Sequence, residues 1–243
     1  MAIAYDKSDG DYVASSATAT VSVAATAANE LAVILTTNNN GAALSGVTVG
    51  GAAATFVGQY AYAGSQRFSI FYYYNPPTSS TAYVATATDA TDDTEIVVML
   101  YSGAASTQSH TPVPATATGN VTASITTTSD NAWLVSLSRN TSSGPTDAGT
   151  GTTKRQDDGV GDVTFSTVSL SSYGDSNGAK TPTGSYSMQW TAGGNNSYAF
   201  IWAISPAAVG PANVKTYNSI ASANVKTINS IAIASVKTWN SIT

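Results

Sequence analysis

Cysteine is absent from the 243 residues, so disulfides, thiolate chemistry and cysteine-bound metals are excluded together. Histidine is almost absent as well, and a single His110 cannot build a paired-histidine metal site. It lies in Gln108-Ser-His-Thr-Pro-Val-Pro114, a Pro-bounded run that reads as a solvated loop. A serine nucleophile would need this histidine, yet no Gly-x-Ser-x-Gly elbow accompanies it. The chain reads as non-enzymatic.

Charge is scarce too. Asp, Glu, Lys and Arg make up 9% of the residues, against about 25% in a typical domain. Ser, Thr, Ala, Gly and Asn take their place, so the surface is solvated by hydroxyls and amides, a habit of extracellular and particle-borne β-proteins. The formal net charge of -5 offers no basic stripe to nucleic acid. No apolar run approaches eighteen residues, so membrane insertion is not expected. Met1 to Asp11 contains neither the basic nor the apolar stretch of a Sec signal peptide. An exterior-looking surface without that signal fits a virion assembled in the host cytoplasm, with an extracellular or cell-surface location as the alternative.

What the chain does contain is β-pattern. Ala17 to Ala25 alternates Thr and Ser with Ala and Val, the period of a half-buried strand. Leu31 to Leu35 is a short apolar run closed by Asn38-Asn39-Asn40-Gly41, a turn signal. Val47 to Gly51 and Ala54 to Val57 read as strands that turn at the glycines, and Arg67 to Tyr74 as a strand ended by Asn75-Pro76-Pro77. Further strands are expected at Tyr83 to Thr88, Glu95 to Tyr101, Val121 to Thr127, Trp133 to Ser138, Val163 to Leu170, Tyr186 to Trp190 and Tyr198 to Ile204. Thr141 to Gly161 reads as a polar loop. About ten strands at this spacing imply an all-β, two-sheet sandwich over residues 1 to 208, with the aromatic residues between the sheets.

Residues 209 to 243 are different. Val214, Val225 and Val236 are eleven residues apart, as are Lys215, Lys226 and Lys237, within three copies of Val-Lys-Thr-x-Asn-Ser-Ile. A short fixed period is a device for stacking like units. Helical hendecads would fit the period, but Thr, Asn, Ser, Val and Ile each cost about 0.5 kcal/mol relative to Ala in a helix. Strands fit better, with Asn218-Ser219, Asn229-Ser230 and Asn240-Ser241 as two-residue turns. Three short strands cannot stand alone. Val214, Lys215, Thr216, Tyr217, Ile220, Val225, Lys226, Thr227, Ile228, Ile231, Val236, Lys237, Thr238, Trp239 and Ile242 are therefore read as an assembly surface, with self-association as a homotrimer its simplest outcome.

Two further groups invite chemistry. Asp89, Asp92, Asp93 and Glu95 lie within one seven-residue strand connection and could hold calcium through oxygen ligands, although Asp is equally a turn-capping residue. Tyr72-Tyr73-Tyr74, with Tyr60 and Tyr62, could form a platform for sugars or could pack a core; alternate residues of a strand face opposite ways, so at least one of the three faces inward.

The order Asn29-Glu-Leu-Ala-Val-Ile34, Val47-Thr-Val-Gly-Gly51, Ala54-Thr-Phe-Val57, Phe68 to Tyr74, Tyr186-Ser-Met-Gln-Trp190 and Ala199-Phe-Ile-Trp-Ala203 resembles jelly-roll-like sandwich modules of tailed-phage and environmental bacterial surface proteins. The resemblance covers most of residues 15 to 208. The appended repeats are similar to the C-terminal tails of such phage proteins, in which the turn is more often Asn-Gly. The family brings no catalytic residues. It implies a virion structural role (tail fibre, capsid decoration or tail tip) with other virion proteins as partners and host attachment as a task. A lectin-like adhesin for host-surface glycan and a bacterial surface or filament subunit are the alternatives.

Overall fold

A computed structural model describes residues 2–38, 44–64, 66–88, 93–141, 146–156 and 171–208, with four dipeptides beyond them (216–217, 220–221, 227–228, 231–232). Among the described residues there is no helix. The chain divides into two compact units, Ala2–Pro206 and Ala207–Thr243 with Met1.

The first half of the larger unit holds β1 (Ala4–Val13), β2 (Thr18–Val23), β3 (Leu31–Asn38), β4 (Leu44–Val49), β5 (Ala52–Ala53), β6 (Thr55–Tyr62), β7 (Gln66–Tyr74), β8 (Thr81–Ala87) and β9 (Thr94–Ser102). They form two antiparallel sheets, in the orders β1-β9-β3-β7-β6 and β2-β8-β4-β5. Strand β2 alternates exposed and buried residues, as a strand with one wet face must. Every residue of β3 is buried, because its sheet is covered on both faces. Gly50 and Gly51, both at positive φ, turn β4 into β5.

The second half repeats the plan. It holds β10 (Val113–Thr118), β11 (Val121–Thr126), β12 (Trp133–Asn140), β13 (Asp147–Ala148), β14 (Thr153–Gln156), β15 (Ser171–Asp175), β16 (Ser185–Thr191) and β17 (Asn196–Ile204). The sheets run β10-β17-β12-β15-β14 and β11-β16-β13. Replacing β1, β9, β3, β7 and β6 by β10, β17, β12, β15 and β14 converts one five-stranded sheet into the other. The two central strands keep their spacing: Leu31–Asn38 and Trp133–Asn140 are 102 residues apart, and so are Thr94–Ser102 and Asn196–Ile204.

The four antiparallel sheets pack as two sandwich-like pairs, and the five-stranded sheets of the two pairs meet. The central core joins Leu31, Val33, Leu35, Phe68, Val97 and Met99 to Val135, Leu137, Phe200, Trp202 and Ile204. The outer cores lie on the other faces, one around Val21, Ile34, Val47, Tyr83 and Val98, the other around Ile125, Leu134, Met188, Trp190 and Ile201. At the junction β1 approaches β14, where Arg155 lies 3.9 Å over the Tyr5 ring. Strand β6 approaches β17, where Tyr62 and Tyr198 are 4.9 Å apart. First strand against fifth, and fifth against first and second, is the relation a two-fold axis along the strands would give. Gly58 permits this approach: a β-carbon there would sit 2.6 Å from Pro112 Cγ.

The structure revises several expectations. Four sheets replace the expected two. Strand β1 forms from the acidic opening, β10 from the end of the Pro-bounded run, and β13 and β14 within the expected loop Thr141 to Gly161. Val163 to Leu170 lies outside the described residues. In the smaller unit, β18 (Thr216–Tyr217) pairs with β19 (Ile220–Ala221), and β20 (Thr227–Ile228) with β21 (Ile231–Ala232). Tyr217 stands opposite Ile220 and Ile228 opposite Ile231; the expected turns Asn218-Ser219, Asn229-Ser230 and Asn240-Ser241 lie outside the described residues.

Candidate functional site

The strand registers bring Val13, Asn38, Tyr62 and Thr94 of the first half, and Thr118, Asn140 and Asn196 of the second, to one end of the larger unit. Just inside this end lies a buried polar layer between the sandwiches. The Tyr173 hydroxyl donates to Glu95 Oε2 at 2.6 Å and lies 3.0 Å from Thr37 Oγ1, while the Ser171 hydroxyl reaches Thr37 at 3.4 Å. Burial, then the neighbouring Glu95, pushes the Tyr173 phenol well above its ordinary range, so it serves as a donor. Glu95 is 1% exposed and Arg139 4% exposed. Within the layer Tyr173, Glu95, Thr37 and Ser171 satisfy one another's buried polar groups.

Toward the opposite end, both chain termini of the unit and a second polar cluster are found. Arg155 donates to both Asp175 oxygens, at 2.9 and 3.0 Å, and Tyr101 donates to Asp175 Oδ2 at 3.0 Å. Gln156 Nε2 donates to Ser8 Oγ at 2.9 Å. Because Tyr101 and Ser8 belong to one sandwich and Arg155, Gln156 and Asp175 to the other, this cluster fastens the two together.

The candidate calcium ligands divide. Asp89 and Asp92 lie outside the described residues. Asp93 accepts from the Ser15 backbone N–H at 3.0 Å, and Glu95 points into the inter-sandwich layer toward Tyr173. Burial and the nearby Asp93 and Glu95 carboxyls push the Tyr12 phenol up to about 12. Among the described residues no three His, Asp or Glu side chains converge as a metal site would require. The other acidic run belongs to β1: Asp11 Oδ2 accepts from Thr20 N–H at 3.1 Å and Asp6 Oδ2 from Thr26 Oγ1 at 2.6 Å, closing the flank of the first sandwich against β2.

His110 is not a solvated loop residue. It is 7% exposed, and its Nε2 accepts from Thr128 N–H at 3.0 Å, which leaves the proton on Nδ1, 3.3 Å from Ser205 Oγ. Desolvation lowers its pKa. Pro112 and Pro114 suggested a surface loop, whereas the backbone here is pinned by the Trp202 indole N–H donating to His110 O at 2.9 Å. The tyrosines pack inward: Tyr72 and Tyr74 lie against the central core, Tyr73 against the first outer core, and Tyr60 and Tyr62 against Phe68.

No protein-family model, curated protein or solved structure matches this chain.

Described residues line two surface clefts. One, of about 270 Å³, is lined by Thr116, Ala117, Thr118, Asn196 and Tyr198 at the β10–β17 edge. The other, of about 200 Å³, opens between Leu44, Ser45 and Gly46 of β4 and Phe56 and Gln59 of β6, with Ser69 and Phe71 as its floor. Phe56 was passed over in sequence because Ala54-Thr-Phe-Val57 reads simply as an apolar strand; in the structure it is 56% exposed. Among the assembly residues, Thr216, Tyr217, Ile220, Thr227, Ile228 and Ile231 occur in the two hairpins. Val214, Lys215, Val225, Lys226, Val236, Lys237, Thr238, Trp239 and Ile242 lie outside the described residues.

Proposed function

We propose that the chain is a non-enzymatic structural protein of a virus particle, a fibre, decoration or tail-tip subunit that self-associates or docks through its C-terminal repeats. The strand order of each half supports a jelly roll: first strand beside last, third strand next, and the second strand in the facing sheet. The observation that carries the reading is the polarity of the larger unit. Ala2 enters and Pro206 leaves at one end, where Ala104 bridges to Pro206, and the strand ends at Asn38 and Asn140 lie at the other. Such a body can be held from one end and present the other. The repeats that follow Pro206 supply the holding element, and a homotrimer is the simplest assembly for them.

The reading is tested by density-gradient fractionation of particles from cells that express the chain in its natural context. The chain should travel with the particles and leave them only on denaturation. Recovery solely among free proteins would contradict a virion role.

A lectin-like role is the second reading, and the cleft beside Phe56 favours it.

A further inference from the structure

We propose that the cleft between β4 and β6 binds one ring of a neutral carbohydrate. It starts from a backbone irregularity. In a regular strand residues three apart face opposite ways. Between Phe56 and Gly58 the pairing with β7 shifts register, so that Phe56 stands opposite Phe71 and Gln59 opposite Ser69. The extra residue turns Phe56 and Gln59 to the same face, a common use of a bulge.

The result is an aromatic ring beside unengaged polar groups. Phe56 is held by an edge-to-face contact with Phe71, ring centroids 5.3 Å apart. Ser69 is 2% exposed, and among the described residues neither its hydroxyl nor the Gln59 amide makes a side-chain hydrogen bond. A buried hydroxyl that opens only onto a cleft is satisfied by whatever enters it. Ser45 donates to Thr86 O at 3.0 Å and keeps its acceptor lone pairs. Open space above Gly46 lets a ligand approach the backbone of β4.

A pyranose matches this set. Its C–H face lies on an aromatic ring, and its hydroxyls both donate and accept, as the Gln59 amide and Ser69 hydroxyl require. Among the described residues no charged side chain lines the cleft, and the chain carries a formal charge of -5, so a neutral sugar fits better than an anionic one. A protein partner fits poorly. Interfaces need about 800 Å² per side and clustered apolar anchors, whereas among the described residues Val113, at 37%, is the other large apolar side chain left exposed, and it belongs to the second sandwich.

The test is a heteronuclear NMR titration of the full chain with the methyl glycosides of glucose, galactose, mannose and N-acetylglucosamine. At least one should produce saturable shifts at the Gln59 side-chain amide and the Gly46 amide. Phe56→Ala should weaken that binding at least tenfold with an unchanged melting temperature, Phe56→Trp should preserve it, and Gln59→Leu should weaken it without altering the ring. Absence of shifts at Gln59 and Gly46 with all four glycosides overturns the proposal. So do shifts that survive Phe56→Ala. A loss of solution mass in Phe56→Ala, with no glycoside response in the parent chain, would identify the ring as a protein contact and overturn it equally.

Discussion

Single residues decide how the two sandwiches are fastened. Asp175 is fully buried and accepts from Arg155, Tyr101 and the Asn177 backbone N–H. Removing its charge leaves Arg155 without its partner, and breaking one side of such a pair costs about 3 kcal/mol. Asp175→Asn should lose that much in urea unfolding while Tyr5 and Tyr101 variants lose less. His110 supplies a second prediction. Burial lowers its pKa in the folded state, so the unfolded chain binds its proton more readily. Its contribution to stability is complete above the unfolded value of about 6.5 and is lost as pH falls through the folded pKa. Melting temperature should therefore decline on acidification below about 6.5, and His110→Gln should flatten that part of the profile. None of this was legible beforehand. A lone histidine before two prolines, or an Asp before Ser-Asn-Gly, carries no sign of burial in its own sequence neighbourhood, because the residues that cover them, Trp202 and Tyr101, are 92 and 74 positions away.

At the scale of elements the sequence was more informative. Strands with one wet face announced themselves through alternation, as β2 did, and fully buried β3 and β9 through continuous apolar runs. Strand β1 stayed hidden because its Asp6 and Asp11 are edge residues that cap a neighbouring sheet, which erases the apolar period. Strand β14, Thr153-Lys-Arg-Gln156, was hidden for a similar reason: its polar Arg155 and Gln156 make contacts to the other sandwich, at Tyr5 and Ser8. The paired dipeptides of the repeats fall where β-structure was expected, and in the expected Asn-Ser turns Ser is a weaker second residue than Gly. Ser219→Gly and Ser230→Gly together should increase strand content in the repeats, seen as larger downfield Hα shifts at Thr216, Tyr217, Thr227 and Ile228. An unchanged spectrum would mean that the turns do not limit these hairpins.

The plan of the whole molecule was the least legible. The duplication is written in Val33 and Val135, Leu35 and Leu137, Asn38 and Asn140, pairs 102 residues apart within β3 and β12. The intervening residues differ because each sandwich packs a different outer sheet, and ten strands in a row look like one domain when the inner faces are equally apolar. Charge is also divided. The repeats carry Lys215, Lys226 and Lys237 with no acidic residue, so all fourteen Asp and Glu lie in the rest of the chain. The larger unit has its own three cores, whose described members all lie between Ile3 and Ile204. It should therefore fold without the repeats.

Light scattering of the full chain beside a chain lacking residues 213–243 tests this division of labour most directly. A trimer that becomes a monomer on deletion, with the melting transition of the larger unit preserved, is the predicted result. A monomer in both cases, or an unfolded truncated chain, would contradict it.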